Sequence, residues 1–385
     1  MNEIKDVVEN PFELLRQKLD KWPIRAPKAP EIIKILKEMY TEEEAKLLSY
    51  FEMPFVDRVN PKELALRSGL SFDKVVEMLD SIASKALIFR LGQSKKRSKY
   101  ALWPFVLGLY EMFFSNAKSF SEEKIKKVGN LWEKYYDQYL LHVAGASTYP
   151  FPRVLPAKTS EKVIEINKDI EAPSQRILVF EELEEILDNY VAYGVMPCSC
   201  RTEHEYLGDA CNKPKETCMV FDMIAEFLID VGVAKRLTKE EALSLLKECE
   251  KNGLVHMTLN AQIPNFICNC CNDCCGILKS ITKFHRSGMF AKSNFEPYYS
   301  EEIKCNQCFA CFDNCPTKAI LPIIEPGKET IFEIDKDLCI GCGICSSKCP
   351  TKKIKLRKVR NHVPEKTTPD AYARYAEERY RYKKV

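Results

Sequence analysis

Residues 1–197 contain no cysteine, and all 18 cysteines fall between Cys198 and Cys349. The first half therefore has no thiol chemistry and reads as a conventional folded protein, while the second half is a cysteine protein. No stretch of about 18 uninterrupted apolar residues occurs. The nearest run, YALWPFVLGLYEMFF, is too short and holds Pro104 and Glu111, so no membrane span is expected. The N-terminus, MNEIKDVVENPFELL, is charged and lacks an apolar run ending in a small-residue cleavage site, which speaks against a secretory signal. A cytoplasmic location is expected. There thiols stay reduced, and clustered cysteines mean metal rather than disulfides. The chain also lacks a Walker loop, a Gly-rich dinucleotide fingerprint and a nucleophile elbow, so no flavin, nicotinamide or P-loop nucleotide site is expected.

What is present is ordinary in bulk. The 385 residues are 45% hydrophobic and 29% charged, enough for two or three domains with substantial cores. The 18 cysteines are thus not needed for stability and demand another explanation. Net charge is +3, but residues 351–385 hold 12 Lys/Arg against 4 Asp/Glu, or +8, leaving −5 elsewhere. A solvated basic, Tyr-rich tail over residues 357–385 is expected, with contact to an acidic partner or nucleic acid as the alternative.

In the first half, residues 11–21 and 30–52 have helical pattern, separated by the Pro-rich WPIRAPKAP. Thr41 with Glu44 forms a capping box, so a new helix starts there. A short helix, Pro61–Ser68, stops at Gly69, and Ser71 caps another with Val75, Val76, Leu79 and Ile82 on its apolar face. Two strands follow, ALIFRL and SKYALW, joined by the basic turn GQSKKR. The order over residues 40–105 resembles a winged helix-turn-helix domain. Its second helix carries Asp73, Glu77 and Asp80 against Lys74, a face that repels phosphates. Only Lys95, Lys96, Arg97 and Lys99 of the wing favour DNA, so a docking or structural role is expected ahead of DNA binding. Further helix is expected through SEEKIKKVGNLWEKYYDQYLLHV. A Gly/Ser/Pro-rich boundary follows at AGASTYPFPRVLPA, then a strand at KVIEI and an amphipathic helix at RILVFEELEEILDNY.

Residues 305–316, CNQCFACFDNCP, and 339–350, CIGCGICSSKCP, repeat C-x2-C-x2-C-x3-C-P 34 residues apart. A cubane cluster has four irons at tetrahedral corners, each taking one thiolate. A tight loop wraps three corners, and the fourth cysteine of this motif ligates the other cluster. Cluster 1 then takes Cys305, Cys308, Cys311 and Cys349. Cluster 2 takes Cys339, Cys342, Cys345 and Cys315. Gly341 and Gly343 allow backbone to approach the second cluster, whereas the first loop has Gln307 and Phe309, so its packing should differ. Residues 300–356 resemble a bacterial-type two-[4Fe-4S] ferredoxin domain. The resemblance implies a βαββαβ-like fold and one-electron transfer, and AILPII and TIFEID suit its strands. Zinc pairs would not need the crossed fourth cysteine.

Ten cysteines remain. Cys249, inside the helix capped by Thr238 and Glu241 and stopped at Gly253, reads as a small core residue. The other nine form two groups: Cys198, Cys200, Cys211 and Cys218, and then Cys268, Cys270, Cys271, Cys274 and Cys275 within eight residues. Nine is one more than two four-thiolate sites require. Adjacent cysteines such as Cys270 and Cys271 tend to point apart, so the groups either build separate sites or trade ligands across space. One or two further [4Fe-4S] clusters, structural zinc at a C-x2-C such as Cys271–Cys274, or a redox-active dithiol or unusual cluster are the alternatives. Cys274–Gly276 is similar to the CCG motif of heterodisulfide reductases, without its flanking spacing. Arg201 can offset thiolate charge. His204 and His256 are candidate ligands, though packed histidines are commoner.

Residues 154–278 joined to the ferredoxin pair resemble multi-cluster ferredoxin-like iron–sulfur proteins of anaerobes. An α+β multidomain chain is expected. It comprises a mostly helical winged-helix-like part (1–150), a Cys-rich α/β metal-binding module (151–299), a two-[4Fe-4S] domain (300–356) and the tail (357–385). The expected role is electron transfer through at least two [4Fe-4S] clusters to or from a redox partner or oxidoreductase complex, rather than stand-alone catalysis. A second copy of the chain is a further candidate partner. A redox- or oxygen-sensing regulator, and a reductase acting at Cys198–Cys275, are the alternatives.

Overall fold

The computed structural model describes residues 10–140, 147, 149–157, 164–165, 182–284 and 290–382. These fall into two compact units. Residues 10–140, 202–209 and 227–233 belong to the first, and the remainder to the second.

Local capping sets the helices of the first unit. Asn10 accepts from the Phe12 amide at 3.0 Å, ahead of Pro11, and starts α1 (Pro11–Leu19). Pro30 opens α2 (Pro30–Met39). The Thr41–Glu44 capping box opens α3 (Glu42–Leu48), with both reciprocal bonds present. Asn60 caps α4 (Pro61–Ser68), and Ser71 caps α5 (Phe72–Ser84). The buried stripe of α5 is Val75, Met78, Leu79, Ile82 and Ala83. Val76, expected on that face, is half-buried, because the i, i+3, i+4, i+7 stripe from Val75 passes through Met78. An antiparallel hairpin of β1 (Phe89–Leu91) and β2 (Lys99–Ala101) follows. Helices α6 (Tyr110–Ser115) and α7 (Glu122–Tyr135) complete the main run, α7 capped by Ser121.

The second unit is built on six antiparallel strands in the order β3-β8-β10-β6-β5-β7. They are β3 (Pro152–Leu155), β5 (Tyr193–Pro197), β6 (Glu216–Phe221), β7 (Lys235–Leu237), β8 (Val255–Leu259) and β10 (Phe266–Cys270). Central strands read as buried runs, such as VHMTL in β8, because both faces are covered. Helices α8 (Leu183–Leu187), α11 (Lys239–Lys251) and α12 (Gly276–Phe284) lie in this unit, whereas α9 (Ser199–Leu207) and α10 (Asp222–Asp230) begin in it and end in residues of the first. The strand expected at KVIEI and the helix expected at RILVFEELEEILDNY lie partly outside the described residues. Within them, β4 (Ile164–Glu165) and α8 stand there.

The cysteine repeat lies in a β-α-β-β-α-β succession: β11 (Phe295–Tyr299), α13 (Ala310–Asp313), β12 (Ile320–Ile323), β13 (Ile331–Ile334), α14 (Ile344–Lys348) and β14 (Ile354–Lys358). β11 pairs antiparallel with β14, and β12 with β13, so each half closes on its mate. The C-terminal segment departs from the solvated tail expected for it. β15 (Glu365–Thr367) pairs in parallel with β9 (Ala261–Ile263), and α15 (Thr368–Tyr382) follows. Ala371, Tyr372 and Tyr375 are buried, and both tyrosine rings pack on Phe151, at 5.2 and 5.1 Å. Its apolar stripe of aromatic residues outweighs its surface charge.

Candidate metal centres

The two C-x2-C-x2-C loops have the same backbone. Gln307 (φ 60°) and Phe309 (φ 57°) take the left-handed conformation that Gly341 (φ 70°) and Gly343 (φ 77°) take 34 residues later. Lys318 and Lys352, three residues after each fourth cysteine, repeat it again at φ 55° and 58°. Such a turn aims successive amides inward, as the 3.4 Å contact from the Gln307 amide to the Cys305 sulfur illustrates. The fourth cysteines are held alike. The Ala319 amide donates to Cys315 Sγ at 3.2 Å, and the hydroxyls of Thr317 and Thr351 lie 3.8 and 3.6 Å from Cys315 and Cys349 Sγ.

Why one loop needs glycine and the other does not is a matter of neighbours. A Cβ on Gly341 would lie 2.2 Å from the Phe295 carbonyl oxygen. At Phe309 the side chain instead has somewhere to go, and its ring meets Phe332 edge-on at 5.1 Å.

Cys315, Cys339, Cys342 and Cys345 line one recess of about 330 Å³, closed by Pro316, Ala319, Ile320, Ile334 and Ile340. Three of them come from the second motif and one from the first. Burial pushes the Cys342 and Cys345 thiols up, and the charges of Cys315 and Cys339 add to it. Four thiolates here are stable only with a cation among them, so the donor set fits a cluster. At the other end Cys311, pushed up first by burial, also feels Cys349 of the opposite motif. Cys308 is exposed.

The remaining nine cysteines do not divide as they do in sequence. The β5–β6–β10 register places them: Cys218 on β6 lies opposite Met196, and Met219 opposite Ile267, which brings Cys218 across from Cys268. The pleat sends Cys268 and Cys270 to one face. Cys198 follows β5, Cys200 lies in the first turn of α9, and Cys275 precedes α12. The six thiols interact in a closed ring: Cys198–Cys218–Cys268–Cys270–Cys275–Cys200 and back to Cys198. Hydrogen bonds from Cys218 and Cys270 bring Cys268 down to about 7.

Cys211, Cys271 and Cys274 make a separate, tighter group, their sulfurs all within 4.8 Å of one another and Cys211–Cys271 at 3.6 Å. Each group thus draws on both sequence clusters, and the adjacent pairs Cys270/Cys271 and Cys274/Cys275 are split between them. The hydrogen bond from Cys274 brings Cys271 down to about 4 against its burial, with the Arg201 charge assisting.

Arg201 is buried at 2% exposure. Burial pushes its pKa down, yet the thiolates of Cys198, Cys271 and Cys218 around it carry it upward on balance. Its guanidinium donates to the Asn269 carbonyl at 3.2 Å and to the Thr217 hydroxyl. Asn269, on the opposite pleat from Cys268 and Cys270, is bonded to His256 Nδ1 at 2.5 Å, and His256 Nε2 lies 3.2 Å from Glu250. A buried cation facing thiols of both groups is what a pair of anionic centres requires. Thr217 and Asn269 carry no motif, and only their strand positions beside cysteines mark them.

Cys249 is buried with Leu254, Cys271 and Cys274 in one apolar cluster, and burial pushes its thiol to about 12. It lies outside the compact trio. His256 is engaged in the Asn269–Glu250 chain described above. His204, in the first unit, has Nδ1 2.7 Å from Asp209. Glu133 and Glu203 stand near it, and Tyr110 donates to Glu203 at 2.5 Å.

A family described as 4Fe-4S dicluster domain matches residues 304–353. A pyruvate synthase subunit PorD of Methanothermobacter marburgensis is 41% identical over 64 residues, 17% of this chain and 68% of that protein. Two uncharacterized ferredoxins of Methanocaldococcus jannaschii are 32% and 33% identical over 90 and 102 residues. The chain covers 49% and 58% of their lengths, and they cover 23% and 26% of it. No solved structure matches the chain.

Proposed function

We propose, for a chain that belongs to the 4Fe-4S dicluster family, that it is a multi-centre electron carrier serving a partner oxidoreductase complex. Its cofactors are [4Fe-4S] clusters and its role is iron–sulfur electron transfer. Cys305, Cys308, Cys311 and Cys349 would hold one cluster, and Cys339, Cys342, Cys345 and Cys315 the second. The six-thiol ring would hold a third. Bound there, the clusters supply one-electron transfer between a surface partner and the interior of the second unit.

The observation that carries this reading is the order of the thiols from surface to core. Cys308 is exposed, and the same domain exposes Phe312, Leu321, Ile324 and Ile331, an apolar surface suited to brief docking. Cys342 and Cys345 are buried. Cys342, with Ile340 and Ile344, shares one core cluster with Cys270 and Cys275 of the ring. These buried side chains exclude water between the second motif and the ring. The relative named for pyruvate synthase supports an oxidoreductase complex as partner. No described helix is long and apolar enough to cross a membrane.

The winged-helix-like part, residues 40–105, would dock protein rather than DNA. Two of its four wing cations face the acids of α5: Lys95 lies 2.7 Å from Asp80, and Lys96 4.0 Å from Asp73. Sequence-dependent DNA binding at low salt would favour the regulator instead.

The test uses anaerobically purified full-length protein. Cys315→Ser should disturb the cluster of the second motif, and Cys349→Ser that of the first, each seen as loss of one of two spin-coupled EPR signals. Losses confined to each cysteine's own motif would overturn the crossed assignment. Oxidised protein should be reduced by, or reduced protein re-oxidised by, a pyruvate synthase lacking its PorD subunit. A protein that holds iron yet never exchanges electrons would sink the carrier reading.

A further inference from the structure

We propose that Cys211, Cys271 and Cys274 hold a single tetrahedral, zinc-type ion with three protein thiolates, leaving its fourth position to a small exogenous thiolate. The inference deepens the reading that places a third iron–sulfur centre in the six-thiol ring. It assigns the three thiols that the ring leaves over.

Size is the first argument. With a Zn–S bond of about 2.3 Å, the edge of a tetrahedron of sulfurs around one ion is about 3.8 Å. The Cys211–Cys271 separation is 3.6 Å, and all three sulfurs lie within 4.8 Å of one another. A cubane puts each thiolate on a different iron, so its thiolates stand further apart than one ion's edge. Among the described residues no three ring thiols form such a compact group, as expected of thiols that serve different metal atoms. Two shapes of thiol cage therefore stand side by side, one for a single ion and one for a polynuclear cluster.

Ligand number is the second. The next thiol in the same apolar cluster, Cys249, does not join the compact group. Zinc held by three protein ligands keeps a position for water or substrate, whereas structural zinc is closed by four. Of the three sulfurs Cys211 is partly exposed while Cys271 and Cys274 are buried, so the open position is approached from the Cys211 side.

Charge is the third. A divalent ion with three thiolates carries a single negative charge. Buried Arg201, whose charge interacts with that of Cys271, faces it. The same guanidinium favours an anionic fourth ligand, and a soft thiolate suits a sulfur-rich site.

The holoprotein should contain one zinc per chain beside its iron. Cys211→Ser, Cys271→Ser and Cys274→Ser should each remove at least four-fifths of the zinc and leave iron unchanged, whereas Cys249→Ala should keep both. In wild-type protein whose zinc is replaced by cobalt(II), thiolate-to-cobalt absorption should report three sulfurs, and 2-mercaptoethanol should shift the visible bands saturably. Zinc-free wild type whose trio variants lose a cluster's iron overturns the proposal. So does a cobalt spectrum with four sulfurs that added thiol leaves unchanged. Cys218→Ser reads the other claim separately: if it leaves iron intact, the ring holds no cluster, whatever the zinc result.

Discussion

At the residue scale, the two ferredoxin-like loops carry the same backbone on different side chains. At Gly341 and Gly343 neighbouring atoms occupy the space a Cβ would take, at 2.2 Å and 3.0 Å respectively. Gly341→Ala combines left-handed strain with overpacking, a loss of about 2–4 kcal/mol, and should abolish incorporation of the second cluster. Gln307→Gly, at the matching position, should change stability by no more than about 1 kcal/mol. It relieves the same strain while losing the 3.2 Å bond from Gln307 Nε2 to the Thr330 carbonyl. Urea denaturation and iron content check both. Equal tolerance of the two substitutions would mean that packing at Gly341 is looser than the Phe295 contact requires.

At the element scale, the C-terminal helix is part of the second unit's core. Tyr375 is 1% exposed, so Tyr375→Ala should destabilise the unit by about 3–5 kcal/mol, the range for removing a buried ring. Loss below about 1 kcal/mol in denaturant titration would show that the helix is held only by its ends. The segment leading into it contains a proton-sensitive contact. His362 Nε2 lies 3.0 Å from Asn260 Oδ1, and burial, with the Arg153 charge assisting, holds its pKa below the ordinary value. In the unfolded chain the ring titrates near pH ~6.5. Between the lowered folded value and that point the unfolded state binds more protons, so stability rises with pH there and falls on acidification. His362→Gln should flatten that slope between about pH 7 and pH 5; an unchanged slope would assign it to other groups.

At the scale of the whole molecule, the two units rest on different materials. The described core of the first is aliphatic and aromatic, with Leu15, Ile35, Leu48, Leu79 and Phe113 almost fully covered. No cysteine lies in it. The second buries Cys198, Cys218, Cys270, Cys271, Cys274 and Cys275 together with four ferredoxin-motif thiols. Binding energy at such sites is folding energy. Stripping metal anaerobically with a strong chelator should therefore open residues 210–226, 234–275 and 300–356 to limited proteolysis, while residues 11–135 stay resistant. An unaltered digestion pattern would mean that the second unit stands without its metals.

The ferredoxin cysteines were legible because a linear spacing encodes them: three ligands within one tight loop need no partner to be recognised. The capping boxes at Thr41 and Thr238 were legible for the same reason, since a cap is a contact three residues long. Val76 stands half-buried at the edge of the α5 stripe rather than within it, and the basic tail was read by its charge rather than by the spacing of Tyr372 and Tyr375. The grouping of the nine other cysteines was beyond any linear reading. Sequence puts Cys270 beside Cys271 and Cys274 beside Cys275, and makes Cys211 a neighbour of Cys218. A strand's pleat turns adjacent residues to opposite faces, and an antiparallel register brings Cys218 to Cys268 across 50 residues. The amino-acid sequence by itself determined that this chain binds iron–sulfur clusters. Only the tertiary structure decided that its leftover thiols form a ring of six and a trio, because side-chain direction and strand pairing, not position along the chain, determine which sulfurs meet.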